Sequence, residues 1–304
     1  MGTPSFGVPI LRAIHMSNRD LIGVVTQPDR PRGRGRKLGI SPIKELAMGF
    51  GLSVLQPQTT KDEAFILEVK RMSPDLIVVA AYGRILTRDL LEVPPLGCIN
   101  VHASLLPKYR GAAPIQWSII NGERNTGITI MRMDEGMDTG DILLTQEVEI
   151  EDEDTAQSLH DRLAQVGASL IIKAMDQLDR GTLRATPQDH DKASYAPPLK
   201  KEDGLIDWSR SARDVSNRIR GFNPWPGAFT YLQGFRLKIF RGEIIDKKVG
   251  GAPGEVVQSE PEGVRVTTGK GVFLIKEVQL EGRKRMSIDE FLMGNEIPPG
   301  TQLG

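Results

Sequence analysis

Asp75-Leu-Ile-Val-Val-Ala80 decides the fold. Its apolar run leaves neither face of a strand polar, as expected of a strand in a parallel sheet that is covered on both sides. Leu21-Ile-Gly-Val-Val-Thr26 upstream and Gly97-Cys-Ile-Asn-Val-His102 downstream share the property. Between these runs, residues 41–51 and 61–72 carry apolar side chains at helical spacing, and Ser41 followed by Pro42 suits a helix start. Strand and helix alternate, so the spacing predicts an α/β domain built on a doubly wound, mostly parallel sheet. A long helix is expected from about Thr155 to Arg180, with Leu159, Leu163, Val166, Leu170, Ala174 and Leu178 along one stripe and Gly181 as its stop. The acidic stretch Glu149 to Asp154 reads as the solvated start of that helix, where negative charge favours the N-terminal dipole.

Working outward from this core, the chain of 304 residues exceeds the roughly 250 that one hydrophobic core usually serves, so two domains are expected. Residues 1–181 form the first, and the polar, proline-containing 182–204 reads as a linker. In 205–304 the periodicity changes. A helix over 211–221 is followed by short strand patterns at 228–240, 254–257, 263–268 and 272–280, parted by Gly, Pro and Asp. This predicts a smaller β-rich domain, a barrel. The N-terminus is unusual, because Met1 to Phe6 reads as the turn after a first strand, with a helix then running to about Met16. We expect about five to eight residues rich in Val, Ile and Phe to be encoded ahead of Met1, the length of an ordinary buried strand.

Composition excludes more than it selects. Basic and acidic residues balance at 39 each, so any polyanion must be met by a local patch rather than by net charge. No stretch approaches the ~20 apolar residues of a membrane span, and no membrane partner is expected. The single cysteine, Cys98, excludes an internal disulfide and reads as a small buried thiol. No glycine-rich dinucleotide fingerprint follows a strand, which disfavours a dehydrogenase.

Chemistry collects at the strand ends. Asn100 and His102 close the Gly97 strand, Ser104-Leu-Leu-Pro107 follows, and an isolated acid, Asp138, stands in Met137-Asp-Thr-Gly-Asp-Ile142. An amide, an imidazole and a carboxylate can polarise a carbonyl, stabilise the oxyanion that follows and manage one proton, without a metal or a covalent nucleophile. That set suits acyl transfer between two bound substrates. His15, His160 and His190 lie in helical or linker contexts and read as surface or packing residues. Arg30, Arg32, Arg34, Arg36 and Lys37 crowd a stretch broken by Gly33 and Gly35, too charged for a core and too glycine-rich for a regular element. It follows the Leu21 strand on the side where open α/β sheets bind ligands, where it could make phosphate contacts. The second domain carries slightly more basic than acidic side chains, with Arg283, Lys284 and Arg285 clustered.

The Asn-x-His-x-Ser-Leu-Leu-Pro run, Tyr109-Arg-Gly-Ala-Ala-Pro114 and Met137-Asp-Thr-Gly-Asp141 resemble the folate-dependent formyltransferases. With Thr26 to Leu38 and Asn223-Pro-Trp-Pro-Gly-Ala228 added, the whole chain is similar to the methionyl-tRNA formyltransferases. The resemblance implies a Rossmann-like first domain and an OB-like β-barrel as the second. It implies transfer of formyl from 10-formyltetrahydrofolate to the α-amino group of methionyl-initiator tRNA, with Asn100, His102 and Asp138 catalytic and no metal. It further implies a folate pocket from Ala81, Tyr82, Gly83, Arg84, Ile85 and Leu86, with Ser104, Leu105, Leu106, Pro107, Asp134 and Gly136 around it. Charged tRNA would meet the arginine-glycine loop and Arg283 to Arg285, in a cytoplasmic monomer. The trio alone equally fits the glycinamide ribonucleotide and amino-sugar formyltransferases. A non-catalytic RNA-binding protein could use the basic stretches but has no need of the trio.

Overall fold

A computed structural model describes the chain except residues 33–36 and 246–249, with the side chains of 31, 32, 37 and 38 also outside it. The chain divides into two compact units, one of 1–114, 125–149 and 160–197, the other of 115–124, 150–159 and 198–304.

In chain order the elements are α1 (Gly7–His15), β1 (Val24–Val25), β2 (Arg30–Arg32), β3 (Lys37–Gly39), α2 (Pro42–Gly49), β4 (Val54–Leu55), α3 (Glu63–Met72), β5 (Ile77–Val79), α4 (Arg88–Leu91), β6 (Cys98–His102) and β7 (Arg110–Gly111). They continue with α5 (Pro114–Ile120), β8 (Asn125–Arg132), β9 (Ile142–Glu149), α6 (Ala156–Asp179) and β10 (Tyr195–Ala196). The helices begin where capping chemistry allows. The Ser41 hydroxyl accepts from Lys44 N at 3.1 Å with Pro42 in the first turn, and the Asp62 carboxylate accepts from Ala64 N at 3.0 Å.

β1 runs parallel to β4 and β5 parallel to β6, as the doubly apolar runs require. Met1 and Gly2 stand between β1 and β5: Gly2 N donates to Val25 O and Ala80 N to Met1 O, both at 2.9 Å. A Cβ on Gly2 would lie 2.8 Å from Ala80 O, so this close approach requires glycine. Beyond this contact Val24, Ile77, Ile10, Ile14, Val69 and Met175 line a cavity of about 440 Å³. Strand order reverses at this central position, and ligands of open α/β sheets gather outside the carboxyl ends of the strands there.

The sheet also holds two strands that the sequence reading omits. β8 pairs antiparallel with β6, and β9 antiparallel with β8. Gly127, where a side chain would overlap Gln146 O, breaks the apolar signal of β8, and half of the β9 residues are polar. The expected linker is likewise held in place rather than free. Thr186 and Ile142 exchange both backbone bonds at 2.8 Å, and β10 pairs parallel with β7.

In the second unit, α7 (Ala212–Gly221) precedes β11 (Phe229–Leu232), β12 (Phe235–Ile245), β13 (Val256–Glu260), β14 (Gly263–Thr267), β15 (Val272–Leu280), β16 (Met286–Ser287) and α8 (Ile288–Leu292). The single strand expected over 228–240 is a hairpin. Gln233 and Gly234 both take left-handed φ, 50° and 82°, as a tight two-residue turn demands. The antiparallel sheet runs β11-β12-β15-β14-β13, with β16 on β15. Residues 301–304 bridge its two edges, Val256 N donating to Thr301 O, Leu303 N to Gly254 O and Gly304 N to Tyr231 O, which gives the barrel-like closure. Ile239, Val256, Val264, Val266, Phe273, Ile275 and Val278 fill its interior.

Candidate active site

Asn100 and His102 are two residues apart on β6, and side chains at that spacing share a face of the sheet. β6 lies between β5 and β8, Asn100 standing between Val79 and Met131 and His102 opposite Thr129. His102 is 5% exposed. Its Nε2 lies 3.0 Å from Tyr109 O and its Nδ1 3.6 Å from Asp138 Oδ2. The Tyr109 carbonyl is within hydrogen-bond distance of the ring, while the Asp138 carboxylate stands just beyond it on the opposite nitrogen. Among the described residues the Asn100 carboxamide has no hydrogen-bond partner, which leaves it available to a ligand.

Asp138 sits at φ 55°, a left-handed conformation that non-glycine residues adopt at a cost of about 1–3 kcal/mol and that surrounding bonds must hold. Gly111 N donates to its Oδ2 at 2.8 Å. The neighbouring Asp134 is turned into its own loop, its Oδ1 accepting from Gly136 N at 3.0 Å and from Thr139 Oγ1 at 2.7 Å. A side chain at Gly140 would overlap Arg132 O, which explains the glycine after Asp-Thr.

The turn after β6 is tied internally. Ser104 Oγ donates to Lys108 O at 2.7 Å, and Thr129 Oγ1 donates to Ser104 O at 2.7 Å and accepts from Leu106 N at 3.1 Å. Ser104 and Leu106 are therefore buried supports of the turn, while Leu105 and Pro107 are half-buried. The segment after β5 alternates in a similar way. Tyr82 and Leu86 enter the core, and Ala81, Gly83 and Ile85 are exposed. Gln27 Nε2 donates to Tyr82 O and Thr60 Oγ1 to Ile85 O, both at 2.8 Å, and Arg84 donates to Pro57 O at 3.3 Å. Desolvation raises the pKa of Tyr82, whose buried hydroxyl has no partner among the described residues.

The sequence profile of the formyl transferase family matches residues 1–175, and that of the formyl transferase C-terminal domain matches residues 198–296. The chain belongs to the formyl transferase family. It is 51% identical over 304 residues to the methionyl-tRNA formyltransferase of Syntrophus aciditrophicus, covering all of this chain and 97% of that protein. With its namesake from Geobacter sulfurreducens it is also 51% identical, over all of this chain and 95% of that one. Among solved structures, the sugar 3N-formyl transferase WlaRD, in the presence of dTDP and 5-N-formyl-THF, superposes with a TM-score of 0.68 at 18% identity, covering 93% of this chain and 97% of that one. At that identity the likeness is one of fold.

In this formyl transferase the basic candidates fare unequally. Arg30 is exposed on β2, which pairs antiparallel with β3, so the arginine-glycine stretch is flanked by a regular ribbon where the sequence suggests none. Arg34 and Arg36 and the side chains of Arg32 and Lys37 lie outside the described residues. Arg283 and Lys284 are exposed. Arg285 is already paired, donating to both Glu277 oxygens at 2.7 and 2.6 Å and standing 4.3 Å over the Phe240 ring. Among the described residues no group of three His, Cys, Asp or Glu is arranged to hold a metal ion, and no helix is long and apolar enough to cross a membrane. His15 stacks on Phe50 and His160 lies 3.4 Å from Ser5 Oγ, both in packing positions. Sequence reasoning quotes Arg110 within the Tyr109–Pro114 run without giving it a role, and it misses Gln188, which bonds to Arg110 and to the Asp138 loop. A lone glutamine in a polar tract carries no signal that separates it from loop composition.

Proposed function

We propose that this formyl transferase moves the formyl group of 10-formyltetrahydrofolate to the α-amino group of methionyl-initiator tRNA, acting as a cytoplasmic monomer without a metal. The observation that carries the reading is an Asn100 carboxamide without a hydrogen-bond partner among the described residues, on the same face of β6 as His102, with Asp138 Oδ2 3.6 Å from His102 Nδ1. Attack by the neutral amine forms the new C–N bond and moves the carbonyl electron pair onto oxygen. Asn100 donates to that oxygen, and one such donor contributes roughly 3 kcal/mol of barrier lowering. His102 can join only when its Nε2 leaves Tyr109 O. Asp138 accepts the ammonium proton, directly or through water, while His102 stays oriented between Asp138 and Tyr109. The C–N10 bond then breaks with its pair on N10, and the proton held at the Asp138–His102 pair returns to that nitrogen. The exposed backbone of Ala81, Gly83 and Ile85, with Leu105, Pro107 and the Asp134–Gly136 loop, would line the pterin site, and the Arg30–Lys37 stretch with Arg283 and Lys284 would meet phosphates.

The relatives' name supports the tRNA acceptor over a small amine. The test is incubation with a 10-formyl folate donor and charged initiator tRNA, with glycinamide ribonucleotide and an amino sugar nucleotide as competing acceptors. Formylmethionyl-tRNA should be the dominant product, and preferential formylation of either small amine overturns the reading.

A further inference from the structure

Asp138 adopts a backbone conformation that it does not favour, and two contacts hold it there. One is the bond from Gly111 N to its carboxylate, at 2.8 Å. The other comes from Gln188, in the tract that the sequence presents as a linker. Gln188 is 6% exposed, and its amide nitrogen donates to Asp138 O at 2.9 Å and to Gly140 O at 2.6 Å. Its Oε1 accepts from Arg110 Nε at 3.2 Å and Nη2 at 2.7 Å, and Arg110, 2% exposed, also reaches His190 Nδ1 at 3.1 Å. Arg110, which Gln188 engages, directly precedes Gly111 in β7, so both holds on Asp138 meet at that strand, which pairs with β10. The amide is chemically selected: two carbonyls require a donor on one side and a guanidinium requires an acceptor on the other.

The geometry points to Gln188 as a positioning residue that fixes Asp138 against His102, an inference that rests on the role assigned to Asp138 above. It touches no substrate. Gln188→Glu separates its two contacts, because a carboxylate keeps the Arg110 partner but presents acceptors to the two carbonyls. Gln188→Met keeps the reach and offers no donor, and it serves if the glutamate variant fails to fold.

In steady-state assays on the full chain, both variants should lower kcat roughly ten- to hundredfold, the penalty of a displaced catalytic group, with KM for folate and for charged tRNA changed by less than about threefold. In an Asp138→Ala background the same substitutions should cause no further loss. A readout independent of turnover is NMR of the ring signals of the chain's four histidines. His102 signals should move in the same direction in Gln188→Glu and Gln188→Met as in Asp138→Asn, while His15 and His160 stay still. Wild-type kcat in Gln188→Glu, an additive loss in the Asp138→Ala background, or unmoved His102 signals each overturn the proposal. If the unmodified chain does not formylate charged tRNA, the functional reading fails, and the His102 signals still decide whether Gln188 holds Asp138.

Discussion

At the scale of single residues, the site separates into groups that face a ligand and groups that hold others in place. Asn100 has no hydrogen-bond partner among the described residues, whereas His102 and Asp138 are engaged with Tyr109, Gly111 and each other. Asn100→Ala, His102→Ala and Asp138→Ala should each lower kcat by roughly 10²-fold or more, with tRNA affinity nearly unchanged, because they act on developing charge rather than on ground-state binding. Steady-state kinetics beside a filter-binding titration checks the separation, and wild-type turnover in any one of them would remove that residue from the mechanism. Cys98 is a different case. It is 2% exposed in β6, and desolvation pushes its pKa up to about 12. Near neutral pH the thiolate is therefore a minute fraction of the population, and the native protein should resist alkylation. Labelling by iodoacetamide at increasing urea should appear only with global unfolding; rapid labelling without denaturant would mean that β6 opens locally.

At the scale of elements, caps and ribbons carry the next predictions. Ser41 is buried, caps α2 through Lys44 N and lies 2.8 Å from the Thr26 hydroxyl. Ser41→Ala removes the cap and leaves Thr26 without that partner, and should destabilise the fold by about 1–3 kcal/mol in urea unfolding. A loss below measurement error would show that water replaces both bonds. The β2–β3 ribbon emerges after β1, beside the point where strand order reverses. Arg34→Ala with Arg36→Ala should raise KM for charged tRNA and lower the salt slope by about one unit per lost phosphate contact, leaving folate affinity unchanged. Equal loss of folate binding would mark the stretch as structural. Much of this level is legible in the sequence, because caps and apolar periodicity are local signals. The hairpin at Gln233–Gly234 escapes it, since Gln-Gly is a weaker turn signal than Asn-Gly or Asp-Gly and the apolar alternation resumes directly after it.

At the scale of the whole molecule, the two units interleave along the chain. Residues 115–124 and 150–159 belong with the barrel unit although they lie inside the first 181 residues. There Ile115, Ile119 and Ile120 are buried, a Cβ on Gly221 would lie 2.6 Å from Ile120, and Arg220 donates to Asp154 O at 2.8 Å. Deleting 198–304 therefore strips the partners from α5 and exposes side chains whose burial is worth roughly 1.5–3 kcal/mol each. The shortened chain should melt at a lower temperature and aggregate in calorimetry, and polar replacement of Ile119 and Ile120 should restore solubility; a soluble shortened chain with an unchanged melting temperature would refute the interleaving. The sequence by itself determined the βαβ alternation, the cap of α2, the long α6 and the residue types of the trio, because each is a pattern within a few residues of itself. Only the tertiary structure decided that β8 pairs antiparallel beside β6, that the polar tract from 182 returns to pin the Asp138 loop, and that Arg285 is already paired with Glu277. These contacts join residues that no local period connects, and the packed sheet and its satellite loops, rather than chain neighbourhood, select the partners.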